Sequence, residues 1–138
     1  MIQIIAGKKG SGKTKRIIDM TNKLARDPEK VKDVVFVDKD DSYLREISHK
    51  ARFVNAMEYE IDTPKMFLGF LCGMLSSNYD IGTIFVDAFL KLCKTDMAEA
   101  EWFFASLEKL CAKHDVDFVL SVSAEPAELP AYMQNYII

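Results

Sequence analysis

The stretch that decides the fold is residues 1–18, MIQIIAGKKGSGKTKRII, and within it Gly7–Thr14, GKKGSGKT. Gly7, Gly12, Lys13 and Thr14 fit the spacing G-x-x-x-x-G-K-[ST], the pattern of a phosphate-binding loop. Glycines let a backbone wrap an anion so that successive N–H groups point inward, where a Cβ would obstruct the turn. A helix starting at about Lys13 would aim its positive end and its unpaired N–H groups at the same anion. Lys13 would neutralise the β- and γ-phosphates, and the Thr14 hydroxyl would hold Mg²⁺. The whole run Gly7, Lys8, Lys9, Gly10, Ser11, Gly12, Lys13, Thr14 and Lys15 is the expected nucleotide-binding surface.

The flanks suit that reading. IQIIA before the loop is a short apolar, β-branched run fit for a buried strand. After it, Ile17, Ile18, Met20, Thr21, Leu24 and Ala25 recur at helical spacing, and Pro28 follows as a stop signal. Three further apolar runs read as buried strands: DVVFVD (Asp33–Asp38), TIFVDAF (Thr83–Phe89) and VDFVLSVS (Val116–Ser123). ARFVNA suits a short edge strand, and NYII a strand at the end of the sequence.

Helical patterns alternate with these runs. Asp41 or Ser42 is expected to cap a short helix turning Tyr43, Leu44 and Ile47 inward. Thr63 and Pro64 read as a cap and a first-turn proline. The helix they open would bury Met66, Phe67, Phe70, Leu71, Met74 and Leu75, with Gly69 and Gly73 permitting a neighbour's close approach. Asp96 and Glu99 suggest a cap for a long helix through about Lys113. Strands alternating with helices indicate an α/β fold, a mainly parallel sheet of about five strands covered on both faces, forming one domain over 1–138.

Bulk properties exclude several classes. With 138 residues and a net charge of −3, the chain is a soluble, cytoplasmic globular protein by expectation, and nucleic acid is not indicated. The longest apolar block, MFLGFLCGML (Met66–Leu75), is about half of a membrane-spanning length, so membrane insertion is not expected. Cys72, Cys93 and Cys111 are odd in number and sit in apolar patterns, as buried reduced thiols would. On a helical wheel Trp102 falls away from the Phe103/Leu107/Leu110 stripe, which suits either a protein contact or the margin of a broad core face.

The carboxylates define the rest of the expected site. Asp87 closes a hydrophobic strand, the position from which a carboxylate orders magnesium or its waters. Ala88 follows it, where many ATPases place a water-activating glutamate. Asp38 and Asp40, at the end of the second strand, are the candidates to replace that acid, at the edge where open α/β sheets bind ligands. Helix capping is the structural alternative, for Asp41 above all. Ser121 and Ser123 suit a hydrogen bond to a phosphate or water, or simply a turn.

At GKKGSGKT, FVDKDD, TIFVDAF and FVLSVSAE the chain resembles a minimal P-loop NTPase of three-layer α/β/α fold, RecA-like within the ASCE group. It is also similar to small stand-alone bacterial P-loop proteins, some labelled twitching-motility ATPases. The RecA-like resemblance implies ATP and Mg²⁺ as ligands, a catalytic acid at Asp40, and a homo-oligomer or partner whose basic residue completes the site. A slow ATPase is the implied activity. The ParA/MinD-like group is the alternative: Lys8 matches its signature lysine and VDKDD echoes its D-x-D, while Lys9 replaces its glycine. A non-hydrolysing ATP-binding switch or scaffold is the other. RecA-like ATPases place a strand between the loop strand and the magnesium strand, and Val116–Ser123 is the expected one; ParA-like proteins set those two side by side. No N-K-x-D motif for guanine and no arginine-bearing lid for a nucleotide kinase is present.

Overall fold

A computed structural model describes residues 1–138. Five strands form one sheet: β1 (Ile2–Gly7), β2 (Asp33–Asp38), β3 (Arg52–Asn55), β4 (Ile81–Val86) and β5 (Asp117–Ser123). Every neighbouring pair is parallel, in the order β1-β5-β4-β2-β3. The expected intervening strand therefore does separate the loop strand from the strand before Asp87. The side-by-side arrangement expected of the ParA/MinD-like alternative is not the one found.

Strand period, two residues per repeat, divides the core. Ile4, Val35, Val37, Ile84, Val86, Phe118 and Leu120 face one side; Ile5, Val34, Phe36, Phe85 and Val119 face the other. The smaller layer is closed by α1 (Lys13–Ala25), whose Ile17, Ile18 and Ala25 are buried at helical spacing. The larger layer is closed by α2 (Pro64–Ser77) and α4 (Glu101–His114), together with short α3 (Phe89–Cys93) and α5 (Ala131–Gln134). Its centre is aromatic: Phe89 stacks on Phe103 at 5.0 Å and meets Phe104 edge-on at 5.5 Å. Burying each such ring contributes about 2–3 kcal/mol.

The cap at α2 is as expected, with Thr63 Oγ1 accepting from the Met66 N–H at 3.1 Å and Pro64 in the first turn. Several details differ. Gly69 and Gly73 have no heavy atom within 4 Å of an added Cβ, so no neighbour approaches them. Phe67, Leu71 and Leu75 are buried while Met66 is exposed, because only one stripe of α2 meets the sheet. Asp96 Oδ1 accepts from the Glu99 N–H, but that turn closes on itself and α4 begins only at Glu101. After β2 it is Asp40 that receives the Ser42 N–H, and the turn Leu44–Glu46 leaves Leu44 exposed while Ile47 is buried.

NYII contributes a single parallel bridge rather than a strand: Ile4 N–H donates to Tyr136 O at 2.7 Å, and Ile138 N–H donates to Ile4 O at 3.0 Å. Cys93 is buried, and burial pushes its thiol up to about 12; Cys72 is exposed and Cys111 partly so, against the expectation for all three. Trp102 is half-exposed and stands edge-on to Phe103. No helix is long and apolar enough to cross a membrane.

Candidate functional site

Register assembles the site. In the parallel sheet Gly7 lies beside Ser123, and Val86 beside both Leu120 and Val37. The next residues, Asp87, Ser121 and Asp38, are thereby set along the edge where strand carboxyl ends meet the loop. Two of the sequence's candidate carboxylates, Asp38 and Asp87, thus stand on adjacent strands.

The loop is shaped by its glycines. Gly10 and Gly12 have φ of 84° and 90°, the left-handed region that other residues enter at a cost. A Cβ on Gly7 would collide with Ser11 Oγ, so the first and fifth loop residues are in close approach. Ser11 N–H donates to Lys8 O at 3.0 Å, tightening the turn. The N–H groups of Gly10, Gly12, Lys13, Thr14 and Lys15 donate to no protein acceptor, and Gly12 caps α1 with no side-chain hydrogen bond. Such a row of unpaired amides at a helix start attracts an anion.

Side chains complete the cradle. Lys13 Nζ donates to Lys8 O at 3.0 Å. Partial burial pulls Lys13 below the usual lysine range; Asp87 opposes that shift and the nearby Lys91 charge adds to it. Thr14 Oγ1 donates to Asp87 Oδ2 at 3.1 Å. Ser121 Oγ donates to Asp87 Oδ1 at 2.6 Å and accepts from the Ala88 N–H at 2.7 Å. Thr14 and Asp87 together offer hard oxygen donors of the kind magnesium takes beside a phosphate.

Asp38 is fully buried. Its Oδ1 accepts from the Lys39 N–H at 2.7 Å, while Oδ2 has no partner. Burial, then the neighbouring Asp87 charge, raise its pKa to about 7. Asp40 is different: its Oδ1 accepts from the Ser42 N–H at 3.0 Å and Oδ2 stands 3.9 Å from Lys39 Nζ. The Ser42 hydrogen bonds hold Asp40 below the usual carboxylate range.

A cavity of about 520 Å³ opens at the loop, lined by Lys9, Gly10, Gly12, Lys13, Thr14 and Lys15. Asp87, Ala88, Ser121 and Ser123 also line it, and neither Asp38 nor Asp40 does. Lys39 and Lys91 also line it, with no motif in the sequence to mark them, and so does Tyr43, which the sequence suggests only as an inward-facing helix residue. Gly7, Lys8 and Ser11 belong to the loop without lining the cavity; Lys8 Nζ is 3.9 Å from Glu125. A larger cavity, about 740 Å³, lies between β2, β3 and α2 and contains no loop residue. None of Lys13, Thr14, Asp87 and Ser121 lines it, so the loop's cation, hydroxyl and carboxylate converge only on the smaller cavity.

No protein-family model matches this sequence, and no curated protein matches it. Among solved structures the chain is similar to the flagellar accessory protein FlaH from Methanocaldococcus jannaschii, with a TM-score of 0.64 and 15% identity. That match covers 97% of this chain but only 65% of the FlaH chain. Domain III of the Thermotoga maritima replication initiation protein DnaA aligns at a TM-score of 0.47 and 14% identity, covering 98% of this chain and 50% of that one, too loosely to bear on the fold. The all-parallel five-stranded sheet with its helices is a P-loop NTPase-like α/β fold.

Proposed function

We propose that this chain binds Mg–ATP at Gly7–Lys15 and hydrolyses it slowly. One observation carries the reading: five loop and helix-start amides are left without protein acceptors, around a cavity that also collects Lys13, Thr14 and Asp87. The amides, with Lys13, would hold the phosphates. Thr14 would bind the metal, and Asp87, which accepts from the Thr14 hydroxyl, would order the metal's waters, Ser121 fixing the Asp87 orientation. Bound magnesium would supply charge neutralisation of the β- and γ-phosphates.

The order β1-β5-β4 supports the RecA-like branch over the ParA/MinD-like one. For proton acceptance Asp38 is favoured over Asp40. Its unpaired Oδ2 sits one strand from Asp87, and a pKa near 7 suits a general base. Asp40 is engaged in the turn that follows β2. Ala88, in place of a glutamate, is the reason for a low rate.

A non-hydrolysing switch is the second reading, favoured by the fact that neither Asp38 nor Asp40 lines the cavity. Phosphate release with excess Mg²⁺ separates the two. The ATPase reading expects measurable turnover that EDTA abolishes, and that Asp38→Asn lowers at least about tenfold with ATP affinity kept. Binding without any release of phosphate would leave the switch.

A further inference from the structure

Five lysines line the loop cavity: Lys9, Lys13, Lys15, Lys39 and Lys91. Three are already engaged. Lys13 donates to Lys8 O, Lys15 pairs with Asp19 at 3.0 Å, and Lys39 lies 3.9 Å from Asp40. Lys9 is part of the loop itself. Lys91 alone reaches the cavity from outside the loop and β2 regions with no ion pair or hydrogen bond to hold it.

Its position is fixed by the backbone. Directly after Asp87 the chain turns through Ala88 at φ 53° and ψ 51°, a left-handed conformation in a non-glycine residue. Such conformations persist where the surroundings enforce them, and they gather at functional sites. Here the Ala88 N–H is held by Ser121 Oγ at 2.7 Å. Phe89, Leu92 and Cys93 anchor α3 in the core, which leaves Lys91 exposed over the cavity. Its charge is close enough to act on Lys13 across the gap.

We propose that Lys91 contacts the terminal phosphate of the bound nucleotide from α3, outside the loop. This rests on the Mg–ATP reading above. The cation that the RecA-like resemblance assigns to a neighbouring subunit would then come from the same chain. In hydrolysis the water oxygen bonds to the γ-phosphorus as the bond from that phosphorus to the β–γ bridging oxygen breaks. The water's proton passes to Asp38 or to solvent, and ADP keeps the bridging electron pair. Lys91 would stabilise the charge on the γ-phosphoryl oxygens during that transfer.

Binding tests this without needing turnover. For wild type, Lys91→Ala and Lys91→Arg, affinities are measured for a non-hydrolysable Mg–ATP analogue and for Mg–ADP; Lys94→Ala, an exposed lysine just beyond α3 that does not line the cavity, is the control. Lys91→Ala is expected to weaken the triphosphate about tenfold and the diphosphate less than about twofold. Lys91→Arg recovers most of that loss, and Lys94→Ala matches wild type. Equal effects of Lys91→Ala on both nucleotides, or none on either, would overturn the proposal while the Mg–ATP reading stands. Wild type that binds neither nucleotide would overturn both.

Discussion

Asp38 shows how one residue can be set against the fold that holds it. It is fully buried with one oxygen unpaired, and its pKa is raised to about 7 by burial and then by Asp87. A carboxyl raised in the folded state is neutral there while its unfolded counterpart ionises. Its contribution to stability is therefore complete below about pH 4 and lost progressively as pH rises to about 7. Asp38→Asn removes that penalty. Denaturant unfolding should show the variant more stable than wild type at pH 8, by up to about 3 kcal/mol, with the difference shrinking toward pH 4. A variant destabilised equally at both pH values would mean that the carboxyl is not the strained group described. The sequence shows Asp38 as an acid at a strand end; it does not show the missing partner for Oδ2, which depends on packing between β2 and β4.

Among the elements, α2 offers the cleanest test of local physics. Gly69 and Gly73 are exposed in mid-helix with open space where a Cβ would go. Glycine in such positions costs about 0.5–1 kcal/mol relative to alanine. Gly69→Ala should raise stability by roughly that amount in thermal or denaturant unfolding, and no loss of stability is expected. A destabilised Gly69→Ala would contradict the open surroundings of this helix face. The elements legible in the sequence are those with a repeating cause: the two-residue period of the strands, the apolar stripe of α1, and the Thr63–Pro64 start of α2. Those missed have single causes. Helix α3 begins after a left-handed alanine, for which no sequence signal exists, and Lys91 was hidden with it. Helix α4 starts later than the Asp96–Glu99 pattern suggests, because Asp96 caps a closed turn instead of the helix.

At the scale of the molecule, a parallel sheet buried on both faces puts every strand's carboxyl end on one edge, and the loop, Asp87, Asp38 and Ser121 all follow from that. The motif predicted the loop strand and helix, and the apolar runs predicted the neighbours, because each signal is local. The part that Lys39, Tyr43 and Lys91 take in the cavity was not legible, since only the strand order brings the turn after β2 and helix α3 to the loop. That arrangement presents unpaired amides and Lys13 to one cavity, the place proposed for a nucleotide's phosphates. The most direct measurement is a calorimetric titration with ATP in excess Mg²⁺, run on wild type and Lys13→Ala. Saturable binding near one nucleotide per chain is expected, weakened at least about tenfold in the variant. A wild-type chain that takes up no ATP, or a variant that binds as tightly as wild type, would contradict that expectation.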